Sequence, residues 1–373
     1  MKKLLLTSVA LAAALAFAGA AQAQIKLGVA GPITGPNAPF GAQLKNGVDM
    51  AAKNINAAGG ILGQKLEVEV GDDQSDPKQG VSVANKFVGD GVTMVVGHFN
   101  SGVTIPASEV YADNGVIMIT PSATNEKVTD RGLWNVFRTC GRDDQQAQVW
   151  SDYFVANYKG KNVAVIDDKT TYGAGLAKNA VADLEKAGIT PGLIEEVNIG
   201  EKDYSAVVTK MKGQGTDVLI WGGLYTEAAL ILKQLRDQGM KTVMLSGDGI
   251  TSADFATIGG DAVIGTQMTF PPKVEANPAN ADLVKQFKAI GYTPEGYTLF
   301  SYAAVEIFKQ AAEAAKSVDP QKMAEQMHTG MPFHTVMGDL AYDKKGDLTK
   351  VGYVMYTWKK GDDGKIDYFQ NPS

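Results

Sequence analysis

Residues 217–245 read DVLIWGGLYTEAALILKQLRDQGMKTVML, which contains one complete strand–helix–strand unit. The apolar run 217–221 predicts a buried strand, 227–238 predicts a helix, and 242–245 predicts the next strand. A helix of this length between two strands is typical of a parallel sheet, because parallel neighbours need a long crossover connection. The stretch therefore predicts an α/β fold.

The same alternation runs through most of the chain in two series. The first begins with a strand at 25–30 and a helix whose apolar stripe contains Leu44, Val48 and Ala51. Further strands and helices are predicted at 66–70, 77–88, 93–96, 104–114 and 116–119, and then at 145–158, 162–166, 175–187, 193–197 and 204–214. Helices at 281–290, 297–315 and 320–327 precede a hairpin of strands 351–358 and 365–369. Two series predict two α/β lobes.

The N-terminus predicts a secretory signal peptide over residues 1–23. Lys2 and Lys3 precede an apolar run from Leu4 to Phe17, and Ala21-Gln22-Ala23 supplies the small residues of a cleavage site after Ala23. A membrane anchor is the alternative, but the run is shorter than the ~20 residues that a spanning helix needs. We therefore expect the mature chain in the periplasm.

Composition and motifs argue against several classes of protein. The net charge is −6 and no basic block is present, which disfavours nucleic-acid partners. The single cysteine, Cys140, cannot form an internal disulfide, and His98, His328 and His334 lack the spacing of zinc ligands. The sequence contains no phosphate loop, HExxH or GxSxG motif. We expect no enzyme activity, metal or cofactor; His98 as a base and Cys140 as a nucleophile are the catalytic alternatives.

Polar loops follow the predicted strands at the edge where open α/β sheets bind ligands. Residues 97–102 and 120–124 contain Ser101, Ser122 and Thr124 and lead toward helices. Hydroxyl and free N–H groups at a helix start can bind a carboxylate, although such residues are also ordinary helix caps. Asp248 lies between two glycines after a strand, where it can receive an ammonium group or simply form a turn.

Eight short sequence motifs occur along the chain in a characteristic order. They are GPITG at 31–35, INAAGGI at 55–61, DDQSDP at 72–77, GH at 97–98, ITPSAT at 119–124, DKTTYG at 168–173, GEKDY at 200–204 and MGDL at 337–340. Together they resemble the leucine/isoleucine/valine-binding proteins of ABC importers over essentially the whole mature chain. The resemblance implies a type I periplasmic binding protein: two α/β lobes, each a parallel sheet flanked by helices, joined by three crossing segments around a ligand cleft.

The resemblance also implies a division of the chain and a set of partners. Residues 24–141 plus 272–350 form the N-terminal lobe, and residues 142–271 plus 351–373 form the C-terminal lobe. The implied partners are a free amino acid and the permease subunits of an ABC importer, and the implied assembly is a monomer. A ligand-sensing module of the same fold, for an amide or urea-like ligand, is the alternative.

Site residues are implied by their positions in the matching motifs. Ser101, Ser122 and Thr124 match positions that hold the ligand's α-carboxylate, and Asp248, with Ser122, matches the α-ammonium position. The positions that line the side-chain pocket are Phe40, Phe99, Tyr172, Leu224 and Tyr297.

The pocket positions depart from the pattern of the family. Asp248 replaces the more frequent Glu, Phe99 stands where Leu is frequent, Tyr297 adds a hydroxyl where Phe is common, and Leu224 replaces an aromatic residue. Phe99 and Tyr297 would fill part of the space of a leucine side chain. Among leucine, isoleucine, valine, alanine, proline and 4-aminobutyrate, the hypothesis therefore favours valine, alanine, proline or 4-aminobutyrate over leucine.

Overall fold

The computed structural model describes residues 24–372 and contains two large β-sheets with helices packed on them; the predicted signal peptide lies outside the described residues. The strands are β1 Ile25–Gly31, β2 Leu66–Asp72, β3 Met94–Val96, β4 Ile117–Thr120, β5 Val136–Arg138, β6 Val163–Asp167, β7 Leu193–Glu196, β8 Val218–Gly222, β9 Val243–Ser246, β10 Gln267–Phe270, β11 Phe333–Thr335, β12 Gly338–Leu340, β13 Val354–Lys360 and β14 Ile366–Gln370. The helices are α1 Ala38–Ala57, α2 Pro77–Asp90, α3 Ser101–Asp113, α4 Lys127–Asp130, α5 Asp143–Tyr158, α6 Thr171–Lys186, α7 Ser205–Gln214, α8 Tyr225–Asp237, α9 Asp254–Gly259, α10 Ala281–Ala289, α11 Thr298–Ala315 and α12 Pro320–Met327.

The first sheet has the strand order β2-β1-β3-β4-β5 and is parallel throughout. Every residue of β3 and β4 is buried, as expected for parallel strands that are covered on both faces. This sheet and the helices that pack on it are called the first lobe below. Its α/β character confirms the sequence prediction.

The second sheet has the order β14-β13-β10-β9-β8-β6-β7. The strands from β10 to β7 are parallel, whereas β13 runs antiparallel to both β10 and β14. The pair β13–β14 is the hairpin that the sequence predicts. The sheet and its helices form the second lobe, which is therefore a parallel sheet with an antiparallel edge.

Local capping signals explain where α2 begins and ends. The Asp76 side chain accepts hydrogen bonds from the backbone N–H groups of Lys78 at 2.8 Å and Gln79 at 2.9 Å, and Pro77 occupies the first turn. The helix ends at Gly91, whose φ of +79° lies in the left-handed region that glycine adopts without strain. Both ends of α2 are therefore set by residues that are adjacent to it in sequence.

The largest differences from the predicted elements occur at helix starts and at short strands. Helix α3 begins at Ser101 rather than at residue 104, and α6 begins at Thr171 rather than at residue 175. Thr170 caps α6 by accepting a hydrogen bond from the Gly173 N–H at 2.9 Å. Six short elements have no counterpart among the predicted ones: β5, β10, β11, β12, α4 and α9.

The chain passes between the lobes after β5, after β10 and before β13. Helix α11 follows the second passage and packs against α1, β3 and β4 of the first lobe. Asp347 precedes the third passage. Its carboxylate pairs with Arg138 Nε and Arg142 Nη1, each at 2.8 Å, and both arginines lie at the first passage. The predicted lobe boundaries fall within these passages and stay a prediction. Within residues 24–372, no helix is long and apolar enough to cross a membrane.

Candidate functional site

A cavity of about 280 Å³ lies between the two lobes. Almost all of its wall comes from segments that follow the carboxyl ends of parallel strands, which is where open α/β sheets bind ligands. These segments contribute Ser75 and Pro77 after β2, residues 99–103 after β3, Ser122 after β4, residues 169–172 after β6, Ile199 after β7, Leu224 after β8, and Asp248 and Gly249 after β9. Tyr297, just before α11, completes the wall. The cavity is thus built by both lobes.

The first lobe presents hydroxyl groups and the start of α3 to the cavity. Ser101 is the first residue of this helix, and the Asn100 side chain makes no capping hydrogen bond. Ser101 Oγ accepts from the Asn125 N–H at 3.2 Å, and Ser122 Oγ donates to the Phe99 carbonyl at 3.1 Å. An uncapped helix start attracts anions through its free N–H groups and the helix dipole. This wall is suited to a carboxylate.

The second lobe presents a buried carboxyl group, Asp248. Its backbone N–H donates to Gln146 Oε1 at 3.1 Å, and its carbonyl accepts from Thr251 Oγ1 at 2.8 Å, which fixes the residue directly after β9. The side chain is 2% exposed. Burial raises the pKa of this carboxyl group to about 6. The other charged residue of the lining, Lys169, is exposed and donates to Asn198 Oδ1 at 2.8 Å.

Tyr172 contacts Asp248 through its hydroxyl group. The hydroxyl donates to Asp248 Oδ1 at 3.1 Å and accepts from the Gly249 N–H at 3.1 Å. Burial raises the pKa of Tyr172 well above its ordinary value, so the phenol stays a neutral donor. Its two hydrogen bonds hold the carboxyl group and the turn that carries it.

Stacked aromatic rings form an apolar wall beside Asp248. Phe99 stacks on Phe40 with ring centroids 4.2 Å apart, and the edge of Tyr297 meets Phe99 at 5.5 Å. The Tyr297 hydroxyl also donates to the Asp248 carbonyl at 3.4 Å. Phe99, Tyr172, Leu224 and Tyr297 line the cavity. Phe40 is fully buried one layer behind Phe99 and does not belong to the lining.

Thr124 also lies behind the wall. It is fully buried, and its carbonyl accepts from the Asp143 N–H at 2.9 Å. Asp143 is equally buried, and burial raises the pKa of its carboxyl group well above the ordinary value. Of the polar residues predicted for the site, Ser101, Ser122 and Asp248 line the cavity, whereas Thr124 belongs to a second layer.

Ten residues of the lining are not among the predicted site residues. They are Ser75, Pro77, Asn100, Gly102, Val103, Lys169, Thr170, Thr171, Ile199 and Gly249. All ten follow the ends of β2, β3, β6, β7 and β9, so the strand-end rule could have found them. Pro77 and Ile199 carry no polar group, and nothing in their side chains marks them as site residues.

The two catalytic alternatives from the sequence lie outside the cavity lining. His98 is fully buried, with Nδ1 2.7 Å from Asp73 Oδ2 and Nε2 3.1 Å from Tyr111 Oη. Cys140 is buried, and burial raises the pKa of its thiol, which opposes formation of the nucleophilic thiolate. In the part of the chain that the structure describes, no group of three His, Cys, Asp or Glu residues is arranged to hold a metal ion.

Comparison with known proteins finds relatives over nearly the whole chain. The Periplasmic binding protein family matches residues 24–365. Leu/Ile/Val-binding protein homolog 1 of Brucella suis is 55% identical over 370 residues, which cover 99% of this chain and 100% of that protein. The Amino acid binding protein of Pseudomonas aeruginosa is 47% identical over 355 residues, 94% of each chain.

Solved structures agree with these matches. A leucine binding protein, LivK, of Thermotoga maritima superposes with a TM-score of 0.84 at 27% identity, covering 93% of this chain and 99% of that one. LivJ of Streptococcus pneumoniae, a branched-chain amino acid transporter substrate binding protein in complex with isoleucine, gives 0.82 at 26% identity, covering 94% and 100%. The parallel sheets flanked by helices are those of a type I periplasmic binding protein. The chain therefore belongs to the periplasmic binding protein family, among the leucine/isoleucine/valine-binding proteins.

Proposed function

We propose that this protein captures a free small aliphatic or branched-chain amino acid between its lobes and delivers it to the permease of an ABC importer. The observation that carries the proposal is the polarity of the cavity. A buried carboxyl group, Asp248, comes from one lobe, and the uncapped start of α3 comes from the other. A zwitterion supplies the complementary charges, so that neither end of the ligand is buried without a partner.

The two charged groups of the ligand are assigned to residues of the cavity as follows. Asp248 receives the α-ammonium group, with Ser122 as a second contact. Ser101 and Ser122, together with N–H groups at the start of α3, bind the α-carboxylate. Thr124 is assigned to the carboxylate through the resemblance and acts from behind the lining. The named ligands of relatives, leucine and isoleucine, are amino acids that carry both charged groups.

The side chain of the ligand meets the apolar wall. Phe99 and Tyr297 occupy the space beside Asp248. Phe40 packs behind Phe99, so the Phe99 ring cannot move away without leaving a void. We expect valine, alanine, proline or 4-aminobutyrate to bind more tightly than leucine. One methylene group in an apolar pocket changes the binding free energy by ~1–3 kcal/mol, so the preference is measurable and moderate.

The remaining assignments belong to the same proposal. Residues 1–23 are removed after Ala23 during export, and the protein acts in the periplasm as a monomer that binds and does not catalyse. The lobes comprise residues 24–141 plus 272–350 and 142–271 plus 351–373. Mass spectrometry of the exported protein tests the cleavage site directly.

The proposal is tested by calorimetric titration of refolded, ligand-stripped mature protein with leucine, isoleucine, valine, alanine, proline and 4-aminobutyrate. Tight one-to-one binding of the small members with weaker leucine is expected. Tight leucine binding would refute the preference and leave amino-acid capture intact. Absence of binding across the panel would refute amino-acid capture, and amides and urea would be titrated next.

Two matched variants separate the site from the fold. Asp248→Asn removes the carboxylate that meets the ammonium group, and we expect affinity to fall at least about a hundredfold. Glu306→Gln is the control, because burial also raises the pKa of the Glu306 carboxyl group but Glu306 does not line the cavity. Its affinity should stay within about threefold of wild type. Equal effects of the two variants would contradict the role of Asp248.

A further inference from the structure

The residues that line the cavity are buried in its interior and exposed at its mouth. Ser101, Asp248 and Tyr297 are almost fully buried, whereas Pro77 and Lys169 are exposed. Ile199 lies at the same mouth and is 61% exposed. Of the five large hydrophobic residues that are exposed in the described part of the chain, Ile199 has the highest exposure and alone lines the cavity.

The backbone around Ile199 is held on both sides. The Gly200 N–H donates to Oε1 of the buried Glu227 at 3.0 Å, and the Asn198 carbonyl accepts from the buried Tyr204 hydroxyl at 3.3 Å. Asn198 Oδ1 also accepts from Lys169 Nζ at 2.8 Å. Hydrogen bonds to buried groups therefore hold the backbone of Ile199 in the position that exposes its side chain.

A second apolar group faces the cavity mouth from the other lobe. Pro77 lies in the first turn of α2, where Asp76 caps the helix and fixes its position. An isoleucine on one lobe and a proline on the other thus border the opening, while the polar groups lie inside. An amphiphilic ligand whose charged end is bound inside would direct an apolar end toward this opening.

We propose that Ile199 is a specificity-determining residue that covers the aliphatic end of the ligand side chain at the mouth of the cavity. The inference rests on the proposed function. The aromatic wall of Phe99 and Tyr297 blocks one direction beside Asp248, so a longer side chain extends toward Ile199 and Pro77. Contact at the mouth therefore grows with the length of the aliphatic chain, and alanine does not reach it.

The test compares Ile199→Ser with Ile194→Ser by calorimetric titration of leucine, valine and alanine. Ile194 is the matched control, because it is 55% exposed on β7 and does not line the cavity. Burial of the exposed part of an isoleucine side chain predicts that Ile199→Ser weakens leucine binding about fivefold and leaves alanine within about twofold. Ile199→Val should restore most of the leucine affinity, and Ile194→Ser should change neither ligand.

Several outcomes would overturn the inference. Equal weakening of leucine and alanine by Ile199→Ser would indicate a general effect on closure of the lobes, and no change for either ligand would remove Ile199 from the site. Unchanged binding combined with loss of uptake into permease-containing vesicles would assign Ile199 to the permease instead. A wild-type protein that binds no amino acid would refute the proposed function and this inference together, which the wild-type titration alone reveals.

Discussion

Ligand binding should weaken in acid because of one buried carboxyl group, Asp248. In the empty cavity, burial raises the pKa of Asp248 to about 6, and the hydrogen bond from the Tyr172 hydroxyl lowers it by a smaller amount. A ligand ammonium group stabilises the ionised form, so the bound state keeps Asp248 deprotonated. Below a pH of about 6, the ligand must therefore displace a proton in order to bind.

The magnitude follows from the fraction of Asp248 that is ionised in the empty protein. With a pKa of about 6, almost all molecules are ionised at about pH 8 and roughly one in ten at about pH 5. Affinity should thus be independent of pH above about 7 and about tenfold lower at about pH 5. Burial also raises the pKa of the neighbouring carboxyl group, Asp143, which does not line the cavity.

The assay is calorimetric titration with alanine or valine between about pH 5 and pH 8, in pairs of buffers with different heats of ionisation. We expect close to one proton released per ligand at about pH 5 and none at about pH 8. Asp168 and Glu306 also have raised pKa values, about 6 and about 7, through burial, and neither lines the cavity. The pH dependence should persist in Asp168→Asn and Glu306→Gln. Affinity that stays constant down to about pH 5, or a dependence that either control abolishes, would refute the reasoning.

Three further changes have defined outcomes. Asp248→Asn should raise the free energy of unfolding of the ligand-free protein, measured in urea at about pH 8, by up to about 3 kcal/mol. The raised pKa of Asp248 in the folded wild type means that the wild type loses stability as the pH rises from about 4 to about 6, and the variant does not. Equal stability of variant and wild type at about pH 8 would contradict this. Tyr172→Phe removes a donor to Asp248 and should move the acid weakening of binding to higher pH, whereas an unchanged midpoint would deny the hydroxyl this role. Gly47→Ala should lower the free energy of unfolding by about 1–3 kcal/mol or more in the same assay, since the added Cβ would lie 2.1 Å from the Thr298 carbonyl oxygen. Gly89→Ala is the control: its added Cβ would have no atom within 4 Å, so this variant should be as stable as wild type or more stable.

The sequence by itself determined the α/β class, the two series of strands and several of the loops that line the cavity. These features are local: the apolar run of β8, the Asp76-Pro77 start of α2 and the left-handed Gly91 at its end are each set by a few consecutive residues. The rule that ligands bind beyond the carboxyl ends of parallel strands pointed to the loops that contain Ser101, Ser122 and Asp248, and the family resemblance assigned these residues to a ligand. All three line the cavity.

Only the tertiary structure decided which side chains meet. Tyr172 and Asp248 are 76 residues apart in sequence, and nothing in either segment indicates that the phenol binds the carboxyl group. Thr124 lies behind the lining and Ile199 lies at its mouth because of contacts with other segments of the chain, which no local pattern encodes. The raised pKa of Asp248 likewise arises from burial by segments that are distant in the chain. Backbone conformation depends on neighbours in sequence, whereas contact, burial and charge at the site depend on neighbours in space.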